Sequence, residues 1–439
     1  MDFAYDERTR DLIARTRTFL DEHVLPAEPV LDAQVAATPD EWGPRPVVRE
    51  LQGVARAQGL WNLFLPGPRG AGLTNLQYAP VAEILGRSPR LGPVATNCAA
   101  PDTGNAELLA DFGTPEQQER WLDPLLAAEI RSAFCMTEPG AASSDATQIG
   151  TRIRRDRDHL VITGRKWWST GAMNPDATLL VVMGATDPDA PRHRRQSMVL
   201  VPRDTPGVRV IRPLTVLGYD DRDHGGHAEI AFEDVRVPAS ALLGGEGDGF
   251  AIAQARLGPG RIHHCMRALG MAERALDLVR ERAASRSPFG RPLAEQGVVR
   301  EWAAESRIQV EALRLLVLKT AWLMDTVGNR AAMTEIQAIK IAVPRAVQQI
   351  VDRAIQVFGA AGLSEDQPLA AMYAAARSLR IADGPDEVHL SSLGKAELRR
   401  DRHDVPPAAP SALPQHPAPP SPHPADVTVD LTAREGTPR

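Results

Sequence analysis

Cysteine is scarce in this chain of 439 residues: Cys98, Cys135 and Cys265 lie far apart, and none forms a CxxC pair. A disulfide framework and a thiolate zinc site are therefore not expected, and a reducing, cytoplasmic setting is. Long apolar runs are missing as well. No window holds eighteen consecutive apolar residues, so no membrane span is expected. The opening residues MDFAYDERTRDLIART are charged and carry no apolar core, which does not fit a signal peptide. Nor is there an excess of basic charge. Lys+Arg number 50 against 56 Asp+Glu, a net charge of -6, which gives no general attraction for nucleic acid. The partners to expect are small molecules and other proteins.

What is present is enough apolar residue, 43%, to fill sizeable cores, on a length that favours more than one domain. Residues 1–131 read as helical. Leu12, Ile13, Thr16, Phe19 and Leu20 recur near helical spacing. Thr114-Pro-Glu-Gln117 has the form of a helix start, with an N-cap Thr, Pro at the first position and Gln117 placed for a capping box. From Ser132 the texture turns to short β-rich runs at 159–163, 178–183, 197–201, 208–211 and 228–232, parted by Gly, Pro, Asn and Asp. That spacing predicts a compact β domain over 132–246, a small barrel. Helical texture returns over 247–403, with long amphipathic segments at 266–282, 298–326 and 333–357 that predict an antiparallel bundle. Pro344 predicts a kink or break in the last one. Residues 404–439 form a Pro-rich tail, with nine prolines between Pro406 and Pro424, and are expected to be disordered.

The order is helices, then strands, then helices, an α+β multidomain chain. It lacks the βαβ alternation of a nucleotide-binding parallel sheet. The run Gly244-Gly-Glu-Gly-Asp-Gly249 lacks GxGxxG spacing and reads as a flexible connection between domains.

Two stretches carry chemistry. In Phe134-Cys-Met-Thr-Glu-Pro-Gly-Ala-Ala-Ser-Ser-Asp145, small residues let backbone amides approach a ligand. The hydroxyls of Thr137, Ser143 and Ser144 suit its polar edge. In Gly164-Arg-Lys-Trp-Trp-Ser-Thr-Gly171, adjacent Trp residues on a strand face opposite ways, one toward a core and the other free to stack on a planar ring.

Together these stretches resemble the flavin-binding signatures of the acyl-CoA dehydrogenase family, over about residues 1–400. The resemblance implies an N-terminal helical domain, a middle β-barrel domain and a C-terminal four-helix bundle, with FAD as cofactor. It implies that Phe134, Met136 and Thr137 line the isoalloxazine ring and that Ser143 serves the pyrophosphate or substrate region. Trp168 would lie over the ring, with Ser169 and Thr170 on its polar edge. Arg286-Ser-Pro-Phe289-Gly with Gln296, and Gln356-Val-Phe-Gly359-Ala360-Ala-Gly362, look like family segments that reach the ADP part of an FAD held by a neighbouring subunit. Arg suits phosphate and Gly permits close approach. Ala360 stands where many relatives keep a second Gly. A homodimer or homotetramer follows from that arrangement.

Family members take a proton α to a thioester carbonyl and pass a β-hydride to flavin N5. The base is a carboxylate in a water-poor site, where its pKa can rise. Most relatives use a Glu before Gly. Here the matching stretch is Ala382-Asp383-Gly384-Pro385, so the resemblance gives the base role to Asp383, one methylene shorter. Some relatives carry the base on a bundle helix just before an Arg, which falls here on Gly260 before Arg261, and glycine has no proton acceptor. Ser144, Arg261 and Gly384 fall to the acyl-CoA substrate. Pro385, Asp386 and Glu387 fall beside FAD, and an electron-transfer flavoprotein is the implied electron acceptor. Ala-Asp-Gly-Pro-Asp-Glu-Val-His-Leu, Gly-Pro-Gly-Arg-Ile-His-His-Cys-Met and Lys-Trp-Trp-Ser are similar to the branch whose animal members carry a fused kinase-like domain. That branch is linked to 4-hydroxyacyl-CoA and long or branched acyl-CoA. No kinase-like segment is read in these residues, so the substrate is not carried over.

His263, His264 and Cys265 point about 100° apart on a helix and make a poor metal site. They read as polar packing near the substrate tunnel. His224 and His227 read either as a loop at the acyl-CoA mouth or as a β turn. Arg192-His-Arg-Arg195 reads as a solvated basic loop before a CoA phosphate contact. Two other functional classes remain open at this stage: an oxygen-using flavoprotein, whether acyl-CoA oxidase or monooxygenase, and a non-catalytic acyl-CoA-binding homologue.

Overall fold

The computed structural model describes residues 4–399. The expected Pro-rich tail, and residues 400–403 of the expected bundle, lie outside them.

Eight helical segments come first: α1 (Glu7–Phe19), α2 (Leu25–Ala37), α3 (Pro46–Ala57), α4 (Asn75–Leu85), α5 (Gly92–Ala95), α6 (Asp102–Phe112), α7 (Pro115–Gln117) and α8 (Asp123–Leu126). Their starts are set locally. The Asp6 carboxylate accepts from the Thr9 N–H at 2.7 Å, capping α1, and Leu12, Thr16 and Phe19 form its buried stripe. At α7 the Thr114 hydroxyl accepts from the Gln117 N–H at 3.3 Å, and the Gln117 side chain accepts from the Thr114 N–H at 3.1 Å. This is the capping box that the sequence predicts.

Strands β1 (Arg131–Cys135), β2 (Arg152–Asp156), β3 (His159–Thr170), β4 (Ala177–Ala185), β5 (Gln196–Pro202), β6 (Val208–Leu214), β7 (His227–Pro238) and β8 (Leu242–Leu243) follow. They form one mixed sheet in the order β6-β7-β3-β2-β4-β5-β8, with β1 parallel to β4. No ladder joins β6 to β8 among the described residues, so hydrogen bonding leaves the sheet open. It still wraps one apolar core, in which Val182 and Val199 meet Ile162, Ile230 and Phe232. On β4 the alternate residues Leu179, Val181 and Met183 face the helices instead. A strand buried on both faces reads as a continuous apolar run. β1 and β2 escaped the sequence reading because RSAFC and RIRRD are too polar to show one.

The third part holds α9 (Gly249–Ser285), α10 (Gly297–Val327), α11 (Met333–Phe358), α12 (Ala360–Leu363), α13 (Leu369–Ser378) and α14 (Asp386–Leu398). α11 passes through buried Pro344 without a break, and α9 through Pro259. Tertiary packing outweighs the lost backbone bond in both. Close packing joins α9 to the first helices, since a Cβ at Gly270 would sit 1.9 Å from the Glu83 carbonyl oxygen. The glycine run after β8 is anchored rather than loose: the Gly247 N–H donates to Ser197 Oγ at 2.9 Å and the Gly245 N–H to Asp248 Oδ2 at 2.9 Å.

Candidate active site

Helices and sheet enclose one cavity of about 2140 Å³. A single drug-sized ligand fills roughly 300–1,000 Å³, so there is room for a large cofactor portion and an acyl chain together. One wall is the sheet. The two stretches singled out in the sequence are bound to each other there. Lys166, fully buried, donates from Nζ to the Met136 carbonyl at 2.9 Å and pairs with Glu138 Oε1 at 2.7 Å. The Trp167 N–H donates to the Thr137 carbonyl at 3.0 Å. Glu138 in turn accepts from the Gly150 and Thr151 N–H groups. Neither Lys166 nor Glu138 was singled out from sequence. A Lys in an apolar-flanked strand with an acidic residue 28 positions upstream is the signal that was available.

β3 bulges between Lys166 and Ser169 against β7, and Trp168 adopts φ +54°, a left-handed conformation rare for an aromatic residue. The bulge re-aims the strand. Trp168 and Thr170 turn to the cavity beside Phe134, Met136, Thr137, Ser143 and Ser144. Ser169 does not: its side chain is buried on the other face, where its Oγ has no hydrogen-bond partner. Strand alternation explains why Ser169 and Thr170 cannot both reach one ring edge. An exposed indole, an apolar floor and four hydroxyls fit a planar ring with a polar edge.

The opposite wall is the bundle, and it carries Asp383. This residue lies in the turn between α13 and α14 at φ +55°. The turn is held by its main chain. Arg261 Nε donates to the Asp383 carbonyl at 3.1 Å, and His389 Nε2 lies 3.3 Å from the same oxygen. Buried Lys340 reaches the Leu379 and Gly384 carbonyls. Gly384 has φ +102°, and a Cβ there would meet His389 Nε2 at 2.9 Å. The Asp383 carboxylate faces α9: Oδ2 is 3.5 Å from His264 Nε2 and would be 3.5 Å from a Cβ on Gly260. The two base positions that the resemblance offers thus converge on one point.

The sequence reading expects the base pKa to rise. In this site burial does push the Asp383 carboxyl up, but the facing His264, with the charges of Arg256, Arg261 and Lys340, outweighs it and holds it below its usual value. His264 is pushed down to about 4 by burial and by Arg267. Arg267 Nη2 lies 3.3 Å from His264 Nδ1, so Nδ1 accepts and the Nε2 proton faces Asp383. His264 therefore belongs to the site, whereas sequence spacing left it as packing. His224 and His227 also line the cavity.

Other expected residues lie elsewhere. Asp386 is buried and paired to Arg345 Nε at 2.8 Å and Arg380 Nε at 2.9 Å, so it faces the bundle rather than a cofactor. Glu387 is exposed outside the cavity, whereas Gly384 and Pro385 line it. Arg286, Phe289, Gln296, Gln356, Gly359 and Ala360 stay outside the cavity. They gather near the C-terminal ends of α9 and α11, which touch where the Arg282 guanidinium lies 5.2 Å over the Phe358 ring. Phe289 is fully exposed at φ +54°. The three cysteines are buried and free, and no cluster able to hold a metal occurs among the described residues.

Profiles of the acyl-CoA dehydrogenase N-terminal, middle and C-terminal domains match residues 6–129, 133–235 and 247–398. The chain belongs to the acyl-CoA dehydrogenase family. Among relatives, this acyl-CoA dehydrogenase is 55% identical to a Mycobacterium tuberculosis protein named probable acyl-CoA dehydrogenase FadE2, over 92% of this chain and 98% of that one. It is 52% identical to acyl-CoA dehydrogenase family member 11 of Homo sapiens over 90% of its own length, and spans about half of that protein, 51%. A solved Mycobacterium abscessus structure assigned to the acyl-CoA dehydrogenases is 50% identical, with a TM-score of 0.87 over 90% of this chain and 99% of that one. No helix among the described residues is long and apolar enough to cross a membrane.

Proposed function

We propose that this acyl-CoA dehydrogenase converts an acyl-CoA thioester to its 2,3-enoyl-CoA with Asp383 as base and FAD as cofactor. The observation that carries the reading is the Asp383 carboxylate, ionised by its cationic surroundings and facing a cavity with an aromatic, hydroxyl-lined wall opposite. Phe134, Met136, Thr137, Ser143, Trp168, Thr170 and Pro385 would hold the isoalloxazine half of FAD. Arg286, Phe289, Gln296, Gln356, Gly359 and Ala360 would reach the ADP half bound by a second copy, so a homodimer or homotetramer is the working form. FAD, when bound, supplies the acceptor for the β-hydride.

The chain's own residues do the rest. Ser144, Arg261 and Gly384 position the thioester between the two walls. A backbone amide of the Asp383–Gly384 turn polarises its carbonyl oxygen, which makes the α-proton acidic. Asp383 Oδ2 takes that proton, and a bound acyl chain would keep water from the carboxylate. Electrons leave to an electron-transfer flavoprotein.

The test is to purify the protein, measure bound FAD, and incubate it with acyl-CoAs of differing length and branching under a dye acceptor. A 2,3-enoyl-CoA product from one class supports the reading and names the substrate class. A protein that is colourless and takes up no FAD sinks the cofactor assignment. Rapid peroxide formation in air with no dye reduction points to an oxidase instead.

A further inference from the structure

Thr170, His227 and Asp221 form a relay beside the sheet wall, and the reaction above gives a role only to Thr170. Thr170 ends β3 and pairs with His227 at the start of β7. Thr170 Oγ1 is 3.0 Å from His227 Nδ1, and His227 Nε2 is 3.0 Å from Asp221 Oδ2. All three line the cavity, as does Trp168, whose ring centroid is 5.6 Å from that of His227. The relay is a built feature. Asp221 takes a left-handed φ of +51°, and its carbonyl accepts from the His224 and Gly226 N–H groups at 2.9 Å each. Gly225 and Gly226 both have positive φ, so the loop folds back and brings the carboxylate to the ring. His227 is mostly covered.

The hydrogen-bond directions follow. An ionised Asp221 can only accept, so it takes the proton on His227 Nε2. Neutral imidazole carries one N–H, which leaves Nδ1 as an acceptor, and among the described residues the donor facing it is the Thr170 hydroxyl. That hydroxyl has one proton. With the proton committed to His227, Thr170 presents lone pairs alone to the cavity. Burial raises the Asp221 carboxyl, but the His227 hydrogen bond and the neighbouring His224 hold it below its usual value.

We propose that Asp221 and His227 are positioning residues that turn the Thr170 hydroxyl into a pure acceptor toward the polar edge of bound FAD, and so favour its reduced form. This rests on the proposed placement of FAD. Two-electron reduction adds a proton at flavin N5, converting that atom from hydrogen-bond acceptor to N–H donor. A hydroxyl that can only accept complements the reduced ring and not the oxidised one. The balance needs no further reactant, because the electrons and the hydrogen come from the acyl-CoA. The relay thus works on the thermodynamics of the flavin couple, not on proton abstraction at Asp383.

The experiment is the midpoint potential of FAD bound to the full-length holoenzyme, by dye-coupled reductive titration without acyl-CoA. His227→Phe should weaken reduced against oxidised FAD binding about tenfold, a fall of about 30 mV for a two-electron couple. Thr170→Val should give the same fall. His227→Phe with Thr170→Val should fall no further, because both act through one hydroxyl. Thr170→Ser, which keeps the hydroxyl, should retain the wild-type potential. If His227→Phe lowers melting temperature or FAD content but leaves the potential unmoved, or if the double variant is additive, the relay is overturned while the proposed function stands. If the wild-type chain binds no FAD, the proposed function and this inference fall together.

Discussion

Asp383 and Glu107 are both buried carboxyl groups within reach of the Arg256 charge, and they end up in opposite states. Glu107, on α6, is pushed up to about 8 by burial, with Arg256 opposing and Asp111 adding to the rise. One of its oxygens has no hydrogen-bond partner. Asp383, in the turn before α14, pays the same burial cost, yet His264, Arg256, Arg261 and Lys340 together hold it down. Burial is common to both. The number of cations gathered by distant helices decides which acid is ionised at neutral pH, and of the two only the ionised one lines the cavity.

Replacing each carboxyl in turn should separate the two most sharply. Asp383→Asn should cut turnover by about 10² to 10⁴-fold, the usual worth of a general base, with the melting temperature preserved. Glu107→Gln, already neutral in function, should keep turnover. Equal losses in both variants would erase the distinction.

The pH dependence of kcat/KM reads the free enzyme, so its acid limb should report Asp383. With the carboxyl held below its ordinary value, kcat/KM should not fall through Asp383 between about pH 8 and pH 5. A limb centred near neutrality would mean that burial wins there too. Arg261→Met, which removes one of the cations, should move the limb upward.

Asp386 sharpens the contrast from the same turn. It lies three residues after Asp383 but is buried between Arg345 and Arg380. Asp386→Asn should cost about 1–3 kcal/mol of stability through weakened charge-assisted bonds, read by denaturant unfolding. Its effect on turnover should come only through a loosened turn and be far smaller than that of Asp383→Asn.

The smallest effect is on Glu107 and alkaline stability. Its folded pKa is raised, so the stability linked to its neutral form is complete below the unfolded value of 4.5 and is lost as pH rises through about 8. Gln cannot ionise. Glu107→Gln should therefore match wild type in acid and melt higher above about pH 8, by roughly 1 °C per kcal/mol recovered.

The same physics explains what was legible in the sequence. The cavity wall built from 134–145 and 164–171 could be read because each stretch is contiguous and the strands bring its side chains out in alternation. The bulge at Trp168 could not be read, and Ser169 and Thr170 looked equivalent only through the resemblance, since strand alternation turns adjacent residues to opposite faces. The bundle wall was legible only at Arg261 and at Asp383, Gly384 and Pro385, through resemblance. His264, Arg256 and Lys340 lie on α9 and α11, and nothing local links them to the turn. The expected break at Pro344 failed because α11 is buried against its neighbours. Asp386 and Glu387, read as a pair beside the cofactor, separate because one helical step turns Asp386 inward and Glu387 to solvent.

The central claim is that Asp383 is the base, and the most direct measurement is a single anaerobic turnover followed by the flavin absorbance. Wild type and Asp383→Asn, each loaded with FAD to the same level, are mixed with the acyl-CoA that wild type oxidises. The account predicts rapid bleaching in wild type and a rate lower by about 10² to 10⁴-fold in the variant, with acyl-CoA still bound. Bleaching of Asp383→Asn at the wild-type rate would contradict it and place the base on another residue.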